Sequence, residues 1–178
     1  LGDVYKRQLL AGGSARRMGG GDKCLRSLGG RPLLTHVIES MGPQVEELIL
    51  NANGAGARFE SFGLAVVSDS FPCLAGPLAG ILAGMEWLQA HRTGVDMLVS
   101  VPADGPFVPG DLVSRLLAAK GGARIACARS GGRSHPPIAL WDVTLAEDLR
   151  RAMVDQEMRK IDRWTARYPI LHVDWPNE

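Results

Sequence analysis

Short apolar runs alternate along this 178-residue chain with stretches whose apolar residues recur every three or four positions. The first pattern suits strands and the second amphipathic helices. Their alternation specifies an α/β domain with a largely parallel sheet. Residues 95–101 (VDMLVSV) have the composition of a strand buried on both faces. Further strands are expected at 47–51 (ELILN), 64–68 (LAVVS), 124–128, 138–141 and 170–173. One helix is expected to open on Pro32, whose fixed φ suits a first helical position. Others are expected at about 58–62, 78–91, 110–120 and 145–153, with the region to 167 helical too. The segment SGGRSHP, which holds His135 and Pro136, reads as a polar turn between two strands.

No internal repeat, low-complexity tract or linker divides the chain, so a single domain is expected. Residues 1–8 (LGDVYKRQ) place Lys6, Arg7 and Gln8 where a parallel strand should be apolar. They also lack the apolar segment of a signal peptide. We read 1–8 as a non-native leader and 9–178 as the domain. A net charge of +1 gives no global field for nucleic acid or an anionic membrane. Three cysteines without a CxxC pair do not make a disulfide framework, and four scattered histidines show no zinc spacing. No apolar run reaches the ~20 residues needed to span a bilayer. The expectation is a cytoplasmic protein with neither nucleic-acid nor membrane partners.

The chemistry concentrates in residues 10–23, LAGGSARRMGGGDK. Gly12 and Gly13 open a glycine-rich turn after an apolar strand end, and Arg16, Arg17 and Lys23 add positive charge. Backbone N–H groups uncluttered by Cβ atoms, together with basic side chains, suit a polyphosphate. The loop lacks the Gly-Lys-Ser/Thr of a P-loop, and it also lacks G-x-G-x-x-G. Ligands of open α/β sheets bind at the carboxyl ends of strands. Asn51, Asp69 and Asp104 each follow an expected strand, as Gly12 and Gly13 do. Asn51 and Asp69 each also fit a simple turn cap. Asp104, in the Pro-Ala-Asp-Gly-Pro turn, fits either a turn aspartate or a ligand for Mg²⁺, which takes few protein oxygens. No side chain stands out as a general base. A phosphomonoester nucleophile needs none, because its second pKa is about 6. A site rich in positive groups and poor in bases therefore suits nucleotidyl transfer onto a phosphate.

Seven motifs in order, LAGGSARRMGGGDK, RPLLTHV, NAN, SDS, GPLAG, VPADGPF and HPPIAL, resemble those of molybdenum cofactor guanylyltransferases across nearly the whole chain. The resemblance implies a Rossmann-like three-layer α/β/α nucleotidyltransferase fold with a mostly parallel central sheet. It implies Mg²⁺-dependent transfer of GMP from GTP to the terminal phosphate of Mo-molybdopterin, with release of pyrophosphate. By the same resemblance, Leu10, Ala11, Gly12 and Gly13 line the guanine and ribose side. Arg17 and Lys23 stabilise phosphate, Asn51 and Asp69 hold base or ribose, and Asp104 binds the metal. Gly76, Pro77 and Gly80 of the GPLAG loop, with the His135-Pro136 turn, lie toward the pterin acceptor. Transient contact with a molybdopterin insertase or a molybdoenzyme chaperone follows as well. LAGG resembles the guanine-specific group, whereas related cytidylyltransferases read LAAG. Family members also carry an Asn-x-Asn-Thr-Pro segment near the C-terminus. This chain does not contain it, and we read its C-terminus as truncated. The alternatives are a cytidylyl or sugar-phosphate nucleotidyltransferase of the same fold, and a non-catalytic nucleotide-binding regulator.

Overall fold

A computed structural model describes residues 8–11, 22–71, 76–91, 94 and 96–176. Seven strands form one sheet: β1 (Gln8–Ala11), β4 (Glu47–Asn51), β5 (Ala65–Val67), β6 (Met97–Ser100), β7 (Ile125–Ser130), β8 (Arg133–Asp142) and β9 (Ile170–Trp175). A small separate hairpin supplies β2 (Ser27–Leu28) and β3 (Arg31–Pro32). The order across the sheet is β5-β4-β1-β6-β8-β7-β9. Only β8 runs against the rest, so six strands deliver their carboxyl ends to one edge.

Period-two alternation in the strands sorts side chains to two faces. Leu98, Ile125, Cys127, Ala139 and Trp141 pack beneath α2 (Pro77–His91), α4 (Ala146–Val154) and α5 (Ile161–Thr165). Met97, Val99, Ala126 and Leu140 pack against α1 (Leu33–Met41) and α3 (Leu112–Lys120) on the other face. This is the expected three-layer α/β/α arrangement. Gln44 ties the α1 end to α3, donating to the Pro109 carbonyl and accepting from the Val113 N–H.

Four local expectations need correction. Pro32 does not open α1. A turn at Gly29-Gly30 folds 27–32 into the small hairpin, Pro32 stays extended at ψ 144°, and the helix starts at Leu33. The SGGRSHP segment is not a loop, because Gly131 and Gly132 at φ 54° and 73° form a two-residue hairpin turn by themselves. His135 and Pro136 therefore lie inside β8, where the register slips between Cys127 and Arg129. Two consecutive prolines, which cannot donate to a ladder, are accommodated at that irregularity. The helix expected at 145–153 is α4, but the region to 167 is not helical throughout, because Glu157 at φ 51° ends the run and α5 is a separate short helix. Lastly, β1 takes in Gln8, which pairs with Glu47, one residue earlier than the domain start read from sequence.

Candidate active site

The adjacent strands β5, β4, β1 and β6 end together at the carboxyl edge. Ala11 pairs with Leu50, Asn51 with Val67, and Leu10 with both Ile49 and Ser100. The backbone of Leu10 and Ala11 therefore lies between the strands that lead to Asn51 and Asp104. Gly12, Gly13 and Arg17 lie outside the described residues.

Beyond the glycine segment the chain re-enters as a 3₁₀ turn, Lys23–Leu25, and drops Cys24 into a small cluster with Leu34, Leu50, Phe59 and Ala103. This apolar anchor sets the two ends of the site. Cys24 holds Lys23 on one side, and Ala103 holds Asp104 on the other. Electrostatics report the same closeness. Burial pushes the Cys24 thiol up to about 11, with the carboxylates of Asp22 and Asp104 both adding to the rise. Lys23 and Asp104 are half-buried, and neither side chain has a hydrogen bond or ion pair among the described residues. A cation and a carboxylate thus adjoin the same apolar cluster, neither side chain committed to a partner among the described residues.

Asn51 and Asp69 are joined directly. Asn51 Nδ2 donates to Asp69 Oδ1 at 2.8 Å and to the Val67 carbonyl at 3.1 Å. Asn51 is 7% exposed, so this amide is fixed by its bonds and by burial. Two residues missed in the sequence complete the group. Asn53 Nδ2 donates to Asp69 Oδ2 at 2.6 Å, while the Asp69 N–H donates to Asn53 Oδ1 at 2.9 Å. Arg58 donates to the Asn53 carbonyl at 2.8 Å and to the carboxylate of Asp22. A continuous polar relay therefore runs from the end of the glycine segment, through Arg58 and Asn53, to Asp69 and Asn51. The available signal was the second asparagine of NAN; Arg58 was hidden in a stretch read only as a short helix.

The proposed acceptor residues are arranged differently from the sequence reading. GPLAG is the first turn of α2 rather than a loop: Gly76 accepts from the Ala79 N–H at 3.2 Å, Pro77 is the first helical residue, and Gly80 is buried inside the helix. Gly76 at φ 135° takes a backbone conformation that any side chain would strain. His135 rides on the β7–β8 hairpin, bonded to Ser130 at 2.6 Å. Its strand, β8, pairs directly with β6, the strand that leads to Asp104.

Among the described residues no three His, Cys, Asp or Glu side chains cluster in a way that could hold a metal. Asp104 is thus a single free carboxylate, which fits a cation that keeps water and substrate phosphate as its remaining ligands. No described helix is long and apolar enough to cross a membrane.

Residues 8–169 match the family model described as the MobA-like NTP transferase domain. A Bradyrhizobium sp. (strain ORS 278) protein named molybdenum cofactor guanylyltransferase is 56% identical over 170 residues, covering 94% of this chain and 80% of its own length. A Cereibacter sphaeroides protein of the same name is 50% identical, with 96% and 85% covered. The fold superposes at a TM-score of 0.72 and 23% identity on molybdopterin-guanine dinucleotide biosynthesis protein A from Archaeoglobus fulgidus, covering 96% of this chain and 83% of that one. A Mycobacterium tuberculosis protein solved as a complex with manganese superposes at 0.71 and 16% identity, with 98% and 90% covered. The chain belongs to the MobA-like NTP transferase family.

Proposed function

We propose that this enzyme transfers GMP from GTP to the terminal phosphate of Mo-molybdopterin, forming the guanine dinucleotide and pyrophosphate. The observation that carries it is that Lys23 and Asp104 each adjoin a member of one apolar cluster, Cys24 and Ala103. They supply charge of both signs at the edge where β1 and β6 end side by side. The curated relatives that share about half of this sequence bear the matching name.

In this reading an oxygen of the acceptor phosphate attacks the α-phosphorus of GTP. The new P–O bond forms as the bond to the β-phosphate oxygen breaks, and pyrophosphate leaves. The nucleophile is already ionised at neutral pH, so no side chain has to take a proton. The work left to the protein is to overcome repulsion between anions and to hold the reactants in line. Lys23, with Arg17 and the amides of Gly12 and Gly13, neutralises the triphosphate. Leu10, Ala11, Asn51 and Asp69 hold guanine and ribose. Asp104 holds Mg²⁺, which supplies neutralisation of the triphosphate and of the departing pyrophosphate. Gly76, Pro77 and His135 face the acceptor.

The test is pyrophosphate release from GTP or CTP, with and without Mo-molybdopterin. Release that needs both GTP and the acceptor is expected; equal rates with CTP would overturn the base assignment, and no release with any pairing would overturn the transfer. Asp104→Ala should lower turnover by roughly 100-fold or more with an unchanged far-UV spectrum. Lys23→Ala should lower it by a similar order, so near-normal turnover in either variant rejects that residue's role.

A further inference from the structure

Asp22 stands at the N-cap of the 3₁₀ turn Lys23–Leu25, where an aspartate ordinarily caps backbone N–H groups, yet its side chain makes no capping bond. The carboxylate is taken by Arg58 instead. Arg58 lies on a second 3₁₀ helix, Gly56–Phe62. Cys24 and Phe59, 5% and 1% exposed, belong to one apolar cluster and so pack the two segments together. The guanidinium rests over the Phe59 ring, 4.5 Å from its centroid. Its N–H groups are divided among three acceptors: Nη2 donates to the Asn53 carbonyl, Nη1 to the Ala55 carbonyl and Nε to Asp22 Oδ2. Two turn carbonyls therefore aim the fork before it meets the carboxylate. Side-chain exposures of 32% for Arg58 and 21% for Asp22 leave the ion pair only partly screened by water.

The consequence falls on Lys23, the next residue. An unmasked carboxylate beside a lysine opposes an anionic ligand in two ways. It draws the ammonium to itself, and it repels the ligand directly. Arg58 removes both effects, and the Lys23 side chain has no hydrogen bond or ion pair among the described residues. Resting on the transfer reading above, we infer that Arg58 is a positioning residue, which holds the Asp22 carboxylate off Lys23 and cancels its charge, so that the ammonium is left for the phosphates of GTP. The role calls for arginine in particular. A guanidinium bonds the carboxylate and both turn carbonyls at once from a fixed plane, whereas a lysine ammonium is a point charge on a flexible stem. Arg58 lies outside all seven sequence motifs, and Asp22, inside the first of them, is thereby given a partner instead of a ligand.

The test measures GTP and GMP affinity of the full chain by titration calorimetry, with Tm recorded for every variant. Arg58→Gln keeps much of the length and a pair of N–H donors but removes the charge. It should weaken GTP binding by roughly tenfold and GMP binding by no more than about threefold, because GTP carries the greater charge. The loss should shrink as salt is raised. Adding Asp22→Asn to Arg58→Gln should bring GTP affinity back to within about threefold of the unmodified chain, since no carboxylate is left to mask. Asp22→Asn alone should leave GTP binding no weaker. A merely structural role predicts equal losses for the two nucleotides, no response to salt and no recovery in the double variant, and that pattern would overturn the inference. Unchanged GTP affinity in Arg58→Gln, or weaker binding in Asp22→Asn alone, would overturn it as well. Any of these with normal acceptor-dependent pyrophosphate release by the unmodified chain leaves the transfer reading standing, whereas no GTP binding by the unmodified chain overturns both.

Discussion

At the scale of single residues, the polar group at the ends of β4 and β5 is held together by one carboxylate shared between two amides. It belongs to Asp69: one carboxylate oxygen takes the Asn51 amide and the other takes the Asn53 amide. Asn53 does not need to touch the nucleotide to matter, because it fixes the carboxylate proposed to do so. It is a positioning residue, and its loss should show in binding more than in chemistry. Asn53→Ala is expected to raise KM for GTP by roughly three- to tenfold with kcat changed less than twofold, consistent with one lost charge-assisted bond. Steady-state kinetics at saturating acceptor would check this. A fall confined to kcat would mean that the relay serves the reacting phosphates instead. Cys24 illustrates the opposite behaviour. Its thiol, raised to about 11, stays protonated at neutral pH, so its part is to anchor and not to attack.

At the scale of elements, composition and spacing carried far where an element is short, apolar and bounded by turn residues. β4 is read without error at 47–51, because Pro43 precedes it and Asn51-Ala52-Asn53-Gly54 ends it. The strand ends of the site, Asn51, Asp69 and Asp104, were legible for the same reason. The acceptor side was not. In β8 a proline pair looks like punctuation, and nothing local says that the register slip across from Cys127 tolerates it. The region after α4 failed for a different cause. Met158 donates back to the Ala152 carbonyl around Glu157, a helix-ending bond in which glycine is the usual residue. Glutamate there carries no sequence signal for a stop. It also bears the steric cost of a left-handed backbone, so Glu157→Gly should stabilise the protein by up to about 1 kcal/mol. Chemical denaturation resolves that difference, and a lower midpoint would show that the glutamate side chain contributes more than its backbone costs.

At the scale of the whole molecule, the sheet divides at β8, the one strand of reversed direction. On one side β5, β4, β1 and β6 carry the proposed nucleotide residues; on the other lie β7 and β9. Ser100 joins the halves. It is 4% exposed, accepts from Trp141 Nε1 at 2.8 Å, and donates to the Pro137 carbonyl at 2.8 Å. It thus ties the end of β6, four residues before Asp104, to the proline pair of β8. Ser100→Ala leaves a buried indole N–H without its acceptor, which costs about 1–3 kcal/mol. For a chain of this size that corresponds to a fall in Tm of roughly 2–4 °C per kcal/mol. The β4–β1–β6 ladder does not depend on this hydroxyl, whereas the start of β8 does. KM for the acceptor should therefore rise more than KM for GTP. An unchanged Tm would mean that the Trp141 N–H finds another partner, and equal rises in the two KM values would show that the halves respond as one body across β8.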